Sequence, residues 1–242
     1  MTRLNAGPPT SDNMDSHAMD SAPTLIGRRT TNGQRSRIPI VAIMLRGIRV
    51  YEIELRTLKR FSTTAWQTFG RSTSIPRTDP QQELTFDIED ARFWQLPSPS
   101  AVRVVLQWMD LAKETAGNDL LPRLTAPGGC TFHFACEVYA ATIIFNVRPR
   151  KISNQALEPL MKHVSTQPSK LTLQTVHELL PIDNVLMTRC ITAAFENREN
   201  RKYFPGEISA IKTYLKVDPE LDSRFNDIGR SRRRKVQRQR RY

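Results

Sequence analysis

The sequence predicts an α+β fold: a small sheet of two or three strands capped by a helical cluster, with a C-terminal helical extension and disordered termini. An apolar run rich in β-branched residues, 38–45, and a segment of alternating apolar and polar residues, 49–55, flank a turn at Arg46-Gly47 and predict a hairpin. From residue 98 onward the apolar residues recur at helical spacing. Because strands and helices do not alternate along the chain, a doubly wound parallel sheet is not expected.

The N-terminal elements follow from local patterns of apolar residues. Strands are predicted at Ile38–Leu45 and Arg49–Leu55, and the alternating sequence ELTFDI at Glu83–Ile88 predicts a short third strand. A helix is predicted over Leu58–Phe69, because its apolar residues lie three and four positions apart. The polar segment Gly70–Gln82 contains two prolines and is predicted to be a loop.

Ser98 predicts the start of the next helix, since serine is a favoured N-cap residue. This helix is expected to end at Gly117 and to bury one apolar stripe. The stripe consists of Ala101, Val104, Val105, Trp108, Met109 and Ala112. Trp66 and Trp108 occupy such stripes and are expected in the core, whereas Trp94 is expected to be partly exposed.

The segment Thr131–Val147, TFHFACEVYAATIIFNV, contains no Lys or Arg and only one carboxylate. It is too short and too interrupted for a membrane span, which takes about 20 predominantly apolar residues. It is also longer than the roughly 4–8 residues of a buried strand. A helix that is apolar nearly all round belongs at the centre of a core, and we expect that position for this segment.

Four further helices are predicted toward the C-terminus from apolar spacing and capping signals. They are expected at Asn154–His163, Thr172–Leu180, Asn184–Glu196 and Gly206–Leu215. Asp183 is expected to cap the third of these, and Pro205 suits the first turn of the fourth. Asp218-Pro219 is expected to end the fourth helix, and order is expected to extend to about Phe225.

The positive charge of the chain is concentrated at its C-terminal end. The 242 residues include 36 Lys and Arg against 24 Asp and Glu, a formal net charge of +12. Residues 229–242, GRSRRRKVQRQRRY, contribute eight of those cations and no acid. Without those eight, 28 basic residues face 24 acidic ones, so the remaining chain is only mildly basic at +4.

Composition divides the chain into four predicted parts. Residues 1–36 are polar and are expected to be disordered, 37–165 form the main domain, 166–228 form the helical extension, and 229–242 form a disordered basic tail. The N-terminus has no apolar core of a signal peptide, and three cysteines do not suit a disulfide framework. We therefore expect an intracellular protein, located in the nucleus or the cytoplasm.

One cluster of residues has the appearance of a metal site. Cys130, His133 and Cys136 lie three residues apart, which on a helix places them within about 120° of one another. A structural zinc site takes four ligands, and no fourth is placed by spacing. Since cysteines are often buried, we expect core residues here and no metal. Motifs for nucleophilic catalysis and phosphate-binding glycine loops are also missing, so we expect no catalytic residues, no cofactor and no enzyme activity.

The basic tail is the strongest functional feature by charge. Its cations are Arg230, Arg232, Arg233, Arg234, Lys235, Arg238, Arg240 and Arg241. Such a cluster attracts an import receptor or the phosphates of a nucleic acid. A third interpretation is a solubilising segment without a dedicated partner. No aromatic residues are interleaved for base stacking, and Tyr242 alone is insufficient.

Three segments resemble the BTB/POZ family in its divergent fungal form. YEIELRTLKRFSTTAW places Leu58 and Ser62 where the family has Leu and a Ser four residues later. The strand ELTFDIED and the helix SPSAVRVVLQWMD resemble the family's third strand and a helix that ends in aliphatic-x-Trp, here Leu106 and Trp108. FACEVYAATIIFNVRPRKISNQALEPLMKHV resembles its helical hairpin. VHELLPIDNVLMTRCITAAF resembles the helical extension that follows in the fungal proteins.

The resemblance covers about 38–198 and implies a non-catalytic protein–protein interaction module that forms dimers or binds an adaptor. Glu54 stands where the family usually has His, and Gly70–Gln82 replaces an acidic loop. The aliphatic-x-Glu adaptor motif is out of register, since Ile88 follows Phe86 two residues on, so binding to a cullin-type ubiquitin ligase is not expected. The expected partner is another protein or a second copy, with nucleic acid at the tail as the alternative. No membrane, small-molecule substrate or cofactor is expected.

Overall fold

Three strands form one mixed sheet in the computed structural model, which describes residues 39–70, 84–115, 121–166, 168–200 and 202–239. Strand β1 (Ile40–Leu45) lies between β2 (Ile48–Glu54), antiparallel to it, and β3 (Leu84–Ile88), parallel to it. Arg46 and Gly47 both have positive φ, 52° and 74°, as the tight hairpin turn requires. The predicted hairpin and third strand are confirmed.

The predicted helix Leu58–Phe69 is two helices, α1 (Leu55–Phe61) and α2 (Thr63–Phe69). The break falls at Ser62, whose backbone is extended and whose side chain is fully buried. Its hydroxyl donates to the carbonyl of Phe145 at 2.7 Å and accepts from the N–H of Ala65 at 3.0 Å. Apolar spacing cannot signal this break, because it depends on a carbonyl 83 residues away.

Helix α3 (Pro99–Glu114) begins at Ser98 as predicted, and the Ser98 side chain accepts from the N–H of Ala101. Its buried face differs slightly from the predicted stripe: Val102 and Leu106 are fully buried, whereas Val104 is only half-buried. Trp108 is in the core, as expected, and donates its indole N–H to the carbonyl of Pro122 at 2.8 Å.

The apolar segment forms α4 (Phe132–Phe145), the central helix, as predicted. Every residue from Cys136 to Thr142 is buried, and α2, α3, α5 and α6 pack around the helix. Thr131 caps its N-terminus by accepting from the N–H of Phe134. The left-handed residue Asn146, at φ 46°, ends the helix and turns the chain toward α5.

The next four helices lie close to their predicted positions. They are α5 (Arg150–Thr166), α6 (Lys170–Leu179), α7 (Val185–Glu199) and α8 (Pro205–Leu215). Two details differ from the prediction. Helix α5 starts four residues earlier than Asn154, and the cap of α7 is Asn184, whose side chain accepts from the N–H of Leu186 at 2.8 Å, rather than Asp183. Pro205 begins α8 as expected.

The final helix, α9 (Pro219–Gln239), extends beyond the predicted limit of order. Leu221 and Phe225 are buried against α7 and α8, and Gly229 lies against the ring of Phe195. The structure therefore differs from the prediction of a disordered tail, because residues 229–239 are helical. The physical reason is that Arg, Lys and Gln, which are frequent in this segment, are strong helix formers. The predictions for 1–36 and for 71–82 lie outside the described residues.

The helical extension packs directly on the N-terminal part of the chain. Helix α6 contacts α4, and α7 contacts α5. The described residues from 39 onward belong to one compact unit. Helix α8 packs on α6, and α9 packs on α7 and α8, so both final helices belong to this unit.

Candidate interaction surfaces

Helix α8 carries a shallow groove of about 590 Å³ on its outer face. Gly206, Ala210 and Thr213 succeed one another at spacings of four and three, so they share one face of the helix, and Val217 follows in the turn beyond its C-terminus. The remaining lining residues are Lys170, Ser209 and Tyr214. Because the floor has small side chains, another chain can approach the backbone closely over about 16 Å, the length of eleven helical residues. We call this surface the α8 groove.

Three large apolar side chains near the α8 groove are exposed to solvent. Phe204 is 85% exposed at the N-terminus of α8, Val217 is 61% exposed beyond its C-terminus, and Leu171 is 70% exposed on α6. Leu171 is adjacent to Lys170, which lines the groove. Single exposed apolar residues are ordinary, but Val217 lines the groove, and Phe204 and Leu171 lie within two residues of the lining residues Gly206 and Lys170.

The α8 groove has a fixed shape because α6 and α8 are joined at their N-terminal ends. The N–H of Lys170 donates to the carboxylate of Glu207 at 2.6 Å. The hydroxyl of Tyr203 donates to the carbonyl of Pro168, and the ammonium of Lys170 lies 5.9 Å from the ring centroid of Tyr214. These contacts link the start of α6 to the start of α8 and to Tyr214, beside the groove.

A buried polar cluster lies behind the groove and is centred on His177. The ring nitrogens of His177 lie 2.9 Å from the hydroxyl of Tyr214 and 3.1 Å from the carboxylate of Asp218. Burial raises the pKa of Tyr214 to about 12, and the neighbouring carboxylates of Glu178 and Asp218 add to this. Burial alone would raise the pKa of Asp218, but hydrogen bonds from the Glu220 N–H and from His177 lower it below its usual value.

The His177 cluster acts as a structural clamp. It joins α6 to the end of α8 and to the start of α9, and the ring of Trp94 covers it at 4.6 Å between centroids. Trp94 is mostly exposed, as expected. The prediction for Trp66 is wrong: it is 38% exposed, because the break at Ser62 changes the helix face that carries it.

The structure places most of the predicted basic site on α9. Arg230, Arg232, Arg233, Arg234, Lys235 and Arg238 are helical, whereas Arg240 and Arg241 lie outside the described residues. Arg230 and Arg234 are exposed, and Arg230 pairs with Asp227 at 3.1 Å. Arg230 follows Leu221 by nine positions, and Arg234 follows Phe225 by nine. Nine positions are about 2.5 helical turns, so each arginine lies on the side of α9 opposite a buried apolar residue.

The Cys130, His133 and Cys136 cluster is divided between surface and core. Cys136 is fully buried, His133 is half exposed, and Cys130 precedes the helix in a turn. Burial raises the pKa of the Cys136 thiol, and it raises the pKa of Cys190 to about 12, so both thiols stay protonated and unreactive. Within the described part of the chain, no group of three or more His, Cys, Asp or Glu side chains could hold a metal ion.

The sequence did not predict a binding surface on α8. Gly206, Ser209, Ala210 and Thr213 appear as ordinary helical residues, and only the apolar Phe204 directly before Pro205 is unusual for a helix N-cap. The signal that could have identified the site is therefore weak and local.

Comparisons with known proteins leave the chain without an assigned family. No family model, no curated protein and no solved structure matches it. No helix in the described ranges is long and apolar enough to cross a membrane.

Proposed function

We propose that this chain is a non-catalytic protein–protein interaction module with a BTB/POZ-like arrangement, and that it associates through the α8 groove. The observation that carries the proposal is a groove of small residues on α8 with an exposed apolar side chain at each end, Phe204 and Val217. Burial of apolar surface contributes about 25 cal/mol per Å², so side chains of this kind supply the association energy.

The order of the elements supports the BTB/POZ-like part of the proposal. A hairpin, a helix pair, a third strand and α3 are followed by the α4–α5 hairpin and further helices. This order is the one that the resemblance in 51–66, 98–110 and 134–164 implies. Because no family model, curated protein or solved structure matches the chain, the likeness rests on these segments and on this order alone.

A second copy of the chain is the partner that best fits the α8 groove. An exposed apolar side chain lies at each end of a floor of small residues. In an antiparallel pair of α8 helices, Phe204 of each copy lies near the Val217 end of the other. Such a contact is self-complementary and closes around a two-fold axis, which is the commonest symmetry of soluble oligomers.

Light scattering over a range of concentrations tests this association. The wild-type chain is expected to approach twice its 27.7 kDa mass, and a Phe204→Ser, Val217→Ser variant is expected to stay monomeric. Ile48→Ser is the matched control, since Ile48 is 63% exposed at the hairpin and far in sequence from the groove. A monomeric wild type, or a dimer unaffected by the groove substitutions, would contradict the proposal.

The exposed stripe on α9 favours a second candidate function, that of a nuclear, nucleic-acid-associated regulator. Arg230 and Arg234 are solvent-exposed on the face opposite the packed residues, and Arg238 continues the spacing of four in the sequence. Cations arranged along one helix face suit contact with a phosphate backbone, and the affinity would depend steeply on salt. The same cations suit recognition by an import receptor.

Replacement of Arg230, Arg232, Arg233, Arg234, Lys235 and Arg238 by alanine tests the second candidate, because it removes the exposed stripe together with the cations between its members. The variant is expected to lose nuclear accumulation and salt-dependent binding to a DNA duplex, with little change in melting temperature. A control with Arg230, Arg232, Arg233, Arg234 and Arg238 changed to lysine keeps the charge and is expected to retain both properties. Unchanged localisation and unchanged DNA binding in the alanine variant would refute this candidate.

A further inference from the structure

A larger cleft, of about 690 Å³, opens between α2, the C-terminal end of α4 and the N-terminal half of α5. It shares no lining residue with the α8 groove. Its volume lies within the roughly 300–1,000 Å³ of ligand pockets in proteins. We call it the α4–α5 cleft.

The α4–α5 cleft has an apolar floor and a polar rim. Tyr139 and Val147 are buried in its floor, and Ile143 and Leu157 are half-buried beside them. The rim carries side chains with amide, hydroxyl and guanidinium groups: Gln67, Asn146, Arg150, Ser153 and Asn154. This division suits a ligand with both apolar and polar groups.

The rim side chains have unused hydrogen-bonding capacity. None of the five forms a side-chain hydrogen bond or an ion pair with another residue in the described ranges. Two other lining hydroxyls differ, since Thr64 donates to the carbonyl of Ile144 at 2.8 Å and Thr142 donates to that of Tyr139 at 2.7 Å. The rim groups can therefore bind a ligand without breaking internal contacts.

One cation of the cleft is available to a ligand. Arg92 also lines the cleft, but its guanidinium is held by the carboxylate of Asp90 at 2.6 and 2.9 Å, and Asp183 lies near it. Arg150 has no ion-pair partner among the residues that the structure describes. No acidic side chain is among the described lining residues, so a ligand anion would meet Arg150 without competition.

We propose that the α4–α5 cleft binds an extended segment of a partner protein that carries a carboxylate, with Arg150 as the counter-charge. The amides of Gln67, Asn146 and Asn154 each offer a donor and an acceptor, which match the N–H and C=O groups of a peptide backbone. The apolar floor accommodates one neighbouring apolar side chain of the segment. A phosphate-rich ligand fits less well, because Arg150 is the one arginine without an ion-pair partner among the described residues that line the cleft.

Selection from a random dodecapeptide library, followed by fluorescence anisotropy on the enriched peptides, tests this inference. The wild-type chain is expected to enrich peptides with Asp or Glu at one fixed position beside an apolar residue. Arg150→Ala is expected to weaken their binding about tenfold or more, as for a hydrogen bond to a charged group. Lys151→Ala is the matched control, since Lys151 is exposed, adjacent and outside the cleft, and it is expected to bind like the wild type.

Three outcomes would overturn the inference. The first is enrichment without an acidic position, and the second is equal binding by the wild type and Arg150→Ala. The third is stronger competition by inorganic phosphate than by acetate. If phosphate displaces the enriched peptide at about one-tenth of the concentration that acetate needs, the cleft is a general anion site rather than a peptide site. The Phe204→Ser, Val217→Ser variant is expected to keep peptide binding, so failure at the α8 groove and failure at the α4–α5 cleft are distinguishable.

Discussion

The packing of α9 on α7 predicts that Gly229 does not tolerate a larger side chain. A Cβ atom at this position would lie 2.8 Å from Cε2 and 3.3 Å from Cζ of Phe195. Favourable contacts between carbon atoms lie at about 3.5–4.0 Å. The ring of Phe195 cannot turn away easily, because it is buried, packs edge-on against Phe225 at 5.8 Å and lies under the guanidinium of Arg198 at 4.8 Å.

The expected magnitude follows from two opposing terms. Overpacking costs about 1–3 kcal/mol, and replacement of a helical glycine by alanine recovers about 1 kcal/mol. Gly229→Ala should therefore lower the free energy of unfolding by about 1 kcal/mol, and the melting temperature by about 2–4 °C for a chain of this size. Gly206→Ala, with no atom within 4 Å of its new Cβ, should be neutral or stabilising.

Thermal unfolding followed by circular dichroism, at a concentration below any self-association, measures both variants. If Gly229→Ala raised the melting temperature as much as Gly206→Ala, α9 would not be packed on Phe195. Residues 229–239 would then behave as the independent tail that the sequence predicts.

Two further predictions concern the core and the clamp. Ala140→Asp should unfold the protein, because Ala140 is fully buried and an unpaired buried carboxylate costs several kcal/mol, against a typical free energy of unfolding of about 5–15 kcal/mol. The control His133→Asp, on the exposed part of the same helix, should fold normally. A thermal melt measures both variants. For Asp218 the pKa is lowered by folding, so its stabilisation is complete above the ordinary pKa of 3.8 and is lost as the pH falls below it. In the Asp218→Asn variant the free energy of unfolding should therefore fall less steeply with decreasing pH than in the wild type. Equal pH dependence of the two proteins in acid denaturation would contradict the clamp.

Elements defined by local pattern could be predicted from the sequence. The hairpin at Arg46-Gly47, the cap at Ser98 and the central helix Phe132–Phe145 each depend on residues within one segment. The uniform apolar character of Thr131–Val147 leaves few alternatives, because a helix without a polar face has to be buried.

Features that depend on distant residues could not be predicted. The break at Ser62 needs the carbonyl of Phe145, and the burial of Gly229 needs the ring of Phe195. The α8 groove and the α4–α5 cleft arise where helices from separate segments meet, so neither has a sequence motif. For the basic segment, high charge favoured disorder, whereas the helix propensity of Arg, Lys and Gln and the packing of Leu221 and Phe225 favour the helix.

The helical state of residues 229–239 changes how the basic segment can act. A disordered tail would let every cation adjust independently, whereas a helix spaces Arg230 and Arg234 about 6 Å apart along its axis. The His177 clamp links Tyr214, which lines the α8 groove, to Asp218, which accepts from the Glu220 N–H at the start of α9. The direction of the basic helix is thus set by the same buried contacts that shape the groove. Association through α8 would therefore place two such helices at a fixed separation, a geometry that a flexible tail cannot provide.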